Sequence, residues 1–205
     1  MAQEMSRLAF RIKSVKCLKQ QESFSDEIFM AGCVVDAAGA AHKIDAFKVK
    51  KDFDGGEVKR YDPPLSLARF DLRNGTGFPK SYMVSMYLIE QDHGKLAGLV
   101  DKAFGLVKSR VEDALKTAKV AAGLGAGGPV AAIAAQKLDG VLHGAFAKIQ
   151  QVLGDDVFPA HNEIVTIPSA SHRFAGTQAD SVDKTVVFRA HGGKYQVTFD
   201  WNLSA

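Results

Sequence analysis

Acidic side chains gather where the pattern of this sequence turns. Glu22 and Asp26 precede an apolar stretch at 27–35, Asp52 and Asp54 sit in a segment closed by Gly55 and Gly56, and Glu90 and Asp92 follow the strongest apolar stretch, 81–90. If the loops that carry them meet at one end of a fold, several carboxylate oxygens converge. A hard cation such as Ca²⁺ takes about six to eight oxygen ligands, and acidic loops are their usual source. The competing reading is that these carboxylates cap turns and keep loops solvated. Other chemistry is poorly provided for. The six histidines (42, 93, 143, 161, 172 and 191) show no His-x-x-x-His or Cys/His spacing, so zinc is not expected. No Gly-x-Ser-x-Gly elbow is present, and the glycines at 123–128 lack the Lys-Ser/Thr ending of a phosphate loop. No catalytic residues are assigned, and the chain is not expected to be an enzyme.

The elements that would position these groups are mostly strands. Alternation or apolar richness marks strands at 7–18, 27–35, 42–49, 65–72 (after Pro63-Pro64), 81–90, 163–168, 184–190 and 194–203. The last alternates most cleanly, with Tyr195, Val197, Phe199, Trp201 and Leu203 on one face. Residues 81–90 are apolar on both faces, which predicts a central strand covered on both sides. At residue 96 the period changes. Leu96, Val100, Ala103, Val107, Val111, Leu115 and Ala118 recur at steps of three and four, the spacing of an amphipathic helix. Gly125, Gly127 and Gly128 break it, Pro129 suits the first turn of a second helix, and Leu138, Val141, Ala145, Ile149 and Val152 continue it. The predicted fold is an all-β antiparallel sandwich interrupted by an α-helical hairpin, α+β overall. It is read as one domain over 1–205, with the sandwich at 1–94 and 154–205 and the hairpin, with its Gly/Ala-rich apex, at 95–153.

Two segments resemble a known family. Ser25-Asp26-Glu27-Ile28-Phe29 is similar to the Ser-Asp-Pro-Tyr stretch of C2 domains, with Glu27 in the place of the proline. Leu88-Ile89-Glu90-Gln91-Asp92 is similar to the acidic pair at a strand exit in the same family. C2 domains are eight-stranded sandwiches, many of which bind membranes through Ca²⁺ held at one loop end. The resemblance therefore implies Asp26, Glu90 and Asp92, with Glu22, as ligands of Ca²⁺.

Composition and charge bound the function. The chain has 205 residues, 46% hydrophobic and 24% charged, the make-up of a globular protein. A net charge of +3 without a concentrated basic run argues against nucleic acid as partner. Between residues 95 and 153 Lys and Arg outnumber Asp and Glu by eight to four, so the excess positive charge is concentrated there. Residues 120–135 carry no charged side chain. A charge-free apex with basic flanks suits an anionic membrane or an apolar protein partner over 108–148. Lys116, Lys119, Val120, Leu124, Val130, Ile133 and Lys137 are the expected contacts. Stable insertion through small residues would need several copies, a pore-forming or toxin-like homo-oligomer. The first alternative is a structural or assembly module with no membrane role, and the second is an enzyme whose site is assembled only in the fold. Cys17 and Cys33 suit buried thiols. Residues 1–11 lack the apolar core of a secretory leader, so cytoplasmic synthesis is expected, with export by a signal-independent route left open. No run reaches the roughly twenty apolar residues of a membrane span.

Overall fold

In a strand, successive side chains point to opposite faces, and apolar alternation therefore builds a sheet with one face to bury. The computed structural model describes residues 3–21, 25–75, 77–91 and 157–205, together with helical positions 98, 100–102, 104, 105, 108, 109 and 113. Its strands are β1 (Arg7–Lys19), β2 (Asp26–Val35), β3 (Ala41–Phe53), β4 (Val58–Asp71), β5 (Lys80–Glu90), β6 (His161–Ile167), β7 (Lys184–Ala190) and β8 (Gly193–Ser204). They form two four-stranded sheets with orders β4-β1-β8-β7 and β3-β2-β5-β6. Every pairing is antiparallel.

The inner faces make the core. β1 contributes Leu8, Phe10, Ile12, Val15 and Cys17, and β8 contributes Tyr195, Val197, Phe199, Trp201 and Leu203. Facing them are Ile28, Met30 and Val34 of β2 and Tyr82, Val84, Met86 and Leu88 of β5. The Phe10 ring lies 5.0 Å from that of Phe199 and 4.9 Å, edge-on, from that of Trp201. Each such side chain contributes about 1.5–3 kcal/mol by leaving water.

β5 is buried along its whole length, as its two apolar faces require. Its outer side chains, Met83, Ser85, Tyr87 and Ile89, are buried beside Ala31, Cys33 and Val35 of β2. Lys43 of β3 stands opposite Cys33 in register and reaches Asp101 at 2.7 Å, so helical residue 101 lies against this outer face. β2 and β5 approach closely at Gly32, where an added Cβ would come within 2.1 Å of the Ser85 carbonyl oxygen. β4 starts at Val58, earlier than the sequence predicts, and runs through Pro63 and Pro64. It is an edge strand, where a missing N–H costs no ladder bond, and its register with β1 shifts across the prolines, between Arg60 and Leu65, and again between Ser66 and Ala68.

The α+β fold with a helical hairpin over 95–153 is corrected. The described architecture is antiparallel β, and helix among the described residues is confined to positions between Gly98 and Asp113, with no helix of seven residues or more. Apolar recurrence at steps of three and four defines a face, but it does not supply the nucleation that a helix needs. Gly98 and Gly105 each cost about 1 kcal/mol against Ala. The proposed apex, 120–135, and second arm lie outside the described residues, as do Lys116, Lys119, Val120, Leu124, Val130, Ile133 and Lys137. No helix among the described residues is long and apolar enough to cross a membrane.

Candidate functional site

The acidic residues singled out in the sequence fall into two groups. Asp26 and Glu90 come together: β2 and β5 are neighbours, Ile28 pairs with Glu90, and Asp26 is two residues from Ile28 on the same inward face. Both are buried, Asp26 completely. The Asp26 carboxylate accepts a hydrogen bond from the Tyr195 hydroxyl and one of 2.6 Å from the Gln21 amide. Tyr195 belongs to the opposite sheet, so this contact joins the two layers. Burial first, and then the bond to Asp26, holds the phenol well above its ordinary pKa. Asp52 lies outside this pair and receives the Ser25 hydroxyl at 3.3 Å. Glu22 and Asp92 lie outside the described residues. Among the described residues no three His, Cys, Asp or Glu side chains gather as they would around a metal. What this end displays is an inter-sheet hydrogen bond. The oxygens of Asp26 face the interior, whereas a loop ligand would turn them towards an incoming cation. Cys17 and Cys33 are free buried thiols, and burial pushes the Cys33 pKa up to about 12, which leaves it unreactive.

The outer face of the β4-β1-β8-β7 sheet is different. Because Tyr195, Val197 and Phe199 point inward, Lys194, Gln196 and Thr198 point outward, and the register carries that face across the sheet. One row holds Arg189, Lys194 and Lys19. The next holds Val187, Gln196, Lys16 and Val58. The third holds Thr185, Thr198, Ser14 and Arg60. These three rows contain five cations, Lys16, Lys19, Arg60, Arg189 and Lys194, and no Asp or Glu. None of the five has a side-chain ion pair or hydrogen bond among the described residues.

The adjoining rows of the same face treat cations in the opposite way. Arg11 grips the fully buried Asp200 through two bonds of 2.9 and 2.5 Å and also meets Asp180 at 3.0 Å. Lys13 reaches Asp183 at 2.6 Å. The segment bearing Asp180 is held to β8 by the bonds Ser181 N to Trp201 O and Leu203 N to Ala179 O, each 2.8 Å. On the other sheet Lys43, Lys48 and Lys50 are each on an acid. Five cations without a side-chain partner among the described residues thus lie together at one end of this sheet face.

Sequence reasoning missed these five residues because it placed the basic surface at 108–148, most of which lies outside the described residues. A signal was present: Lys16 and Lys194 occupy polar positions of two strongly alternating strands. Uniting them with Arg60 and Arg189 takes the pairing register, which no local window contains. Comparisons with protein-family models, with curated proteins and with solved structures gave no match.

Proposed function

We propose that this protein is a non-catalytic β-sandwich module that docks on an anionic membrane surface through the outer face of its β4-β1-β8-β7 sheet. The observation that carries this reading is the set of five cations, Lys16, Lys19, Arg60, Arg189 and Lys194, without a side-chain partner among the described residues and in three consecutive rows without an acid. A sheet face is broad and open, and so is a bilayer. Lysine supplies three of the five charges. Lysine is depleted at protein–protein interfaces, whereas a cluster of Lys and Arg is what anionic head groups attract. The rows hold Val, Thr, Ser and Gln between the cations and no aromatic ring, so they offer no platform for stacking nucleic-acid bases. Val58, 38% exposed, adds a small apolar contact among the charges.

This reading keeps the anionic partner expected from the sequence and moves the contact from 108–148 to the strand body. The test is cosedimentation with phosphatidylcholine vesicles, with and without phosphatidylserine. Each cation near such a surface contributes about 1 kcal/mol. The triple variant Lys16→Gln, Arg60→Gln, Lys194→Gln should therefore lose about 3 kcal/mol, on the order of 100-fold in binding. Salt should weaken wild-type binding as it shortens the screening length. Equal binding to uncharged vesicles, or no binding to either kind, overturns the proposal and leaves an assembly module as the better reading.

A further inference from the structure

A second feature lies at the opposite end of the sandwich, away from the five cations. Edge strands β3 and β4 belong to different sheets, and between them, where the β2–β3 and β4–β5 turns come close, is a cleft of about 290 Å³. Its apolar lining includes Val34, Phe70 and Tyr82, with the two rings 4.7 Å apart. Its polar lining includes Asp36, His42, Arg69 and Asp71. The volume is at the lower bound for small-molecule sites, of roughly 300–1,000 Å³.

Most of these polar groups are already committed. Asp71 takes both guanidinium bonds and the backbone N–H of Arg73. Asp36 accepts the amides of Ala38 and Ala40 at 2.9 Å each through one oxygen and faces His42 Nε2 at 3.3 Å through the other. Two groups are left. Arg69, exposed on β4, has no side-chain ion pair or hydrogen bond among the described residues. Tyr82 is 2% exposed, and its buried hydroxyl has no hydrogen-bond partner among the described residues. A buried polar group without a partner costs about 1–3 kcal/mol, so the site is incomplete as it stands. The Tyr82 hydroxyl stays protonated at neutral pH: burial first, then the negative charges of Asp36 and Asp71, raise its pKa to about 12. It therefore has a proton to donate, and Arg69 has only donors. Asp71 is paired with Arg73, and Asp36 is held by two backbone amides and faces His42, which leaves Arg69 as the lining cation without a partner among the described residues.

We propose that this cleft binds a small carboxylate with an apolar or aromatic body, the acid group meeting Arg69 and the Tyr82 hydroxyl and the body resting on Phe70 and Val34. The test is a benzoate titration of the full chain followed through backbone amide resonances, with benzyl alcohol as the uncharged control. Benzoate should move the resonances of residues 36–42 and 74–75. Arg69→Gln, a surface change, and Tyr82→Phe, which keeps the packed ring, should each weaken it by about tenfold. Without ligand, Tyr82→Phe should be as stable as wild type or more so, which separates a lost ligand contact from a damaged fold. Unmoved resonances, an equal response to benzyl alcohol, or unchanged benzoate affinity in both variants would each overturn the proposal. None of these outcomes bears on the vesicle experiment, because neither residue is among the five cations.

Discussion

The Tyr195 hydroxyl and the Asp26 carboxylate meet across the two sheets in a site closed to water. Removing only the oxygen of Tyr195 leaves its packing on Phe53 and Phe158, at 5.8 and 5.5 Å, in place. It also leaves a buried carboxylate short of one donor. Hydrogen bonds to charged groups are worth about 1.5–3 kcal/mol, and the loss is felt in full where no water replaces the donor. Tyr195→Phe should therefore lower the urea-unfolding free energy by about 2 kcal/mol with an unchanged m-value; a loss within error of zero would show that the contact is incidental. The sequence marked Asp26 and Glu90 as notable but read them as open loop ligands. Their burial follows from partners remote in the chain, Tyr195 being 169 residues from Asp26. No spacing rule reports that a polar position on one strand will face a phenol on another sheet.

Strands were legible where one face is apolar and the other wet. β8 and β7 fall almost on their predicted bounds, and β5 is covered on both sides as its composition demands. The sequence predicts β4 only from residue 65, because two prolines look like a break when edge position is unknown. The helical hairpin predicted after residue 95 is not found among the described residues, because helical spacing alone is not sufficient for one. Pairing between the sheets was illegible. β6 and β7 are edges of different sheets, and Lys184 of β7 reaches Glu163 of β6 at 2.5 Å. Burial opposes ionisation of Glu163, but the hydrogen bond from Lys184 and the nearby ring of His161, 3.6 Å away, outweigh it and hold the carboxyl below its usual range. A depressed folded pKa gives stability that is full above the unfolded value of about 4.3 and is lost as pH falls through the folded one. Lys184 is half exposed, so the pair contributes only about 1 kcal/mol. Lys184→Met should be less stable than wild type by that amount at neutral pH, and the difference should close on acidification below about pH 4. A constant difference down to acid pH would assign the effect to packing of the Lys184 stem.

At the scale of the whole molecule, the first and last strands are neighbours. β1 pairs with β8 from Arg7–Ser204 to Lys19–Lys194, and β8 also carries β7. The central pair of this sheet therefore cannot form until both distant parts of the chain are present. Local windows identify both strands but not their adjacency, and the same limitation hid the cationic face, which exists only once β4, β1, β8 and β7 lie side by side. Such pairings are costly in loop entropy and belong with slow, all-or-none folding. β8 supplies five inward side chains, Tyr195, Val197, Phe199, Trp201 and Leu203, all buried. At about 1.5–3 kcal/mol each they amount to on the order of 10 kcal/mol, as large as the net stability of an ordinary domain. A chain ending after Ala190 should therefore show no cooperative thermal transition by far-ultraviolet circular dichroism. Its remaining strands would lose the partner that both β1 and β7 require. A sharp transition in that truncated chain would mean that the β3-β2-β5-β6 sheet folds independently, and the two sheets would then be separable units joined through the Asp26–Tyr195 contact and the apolar layer around Phe10.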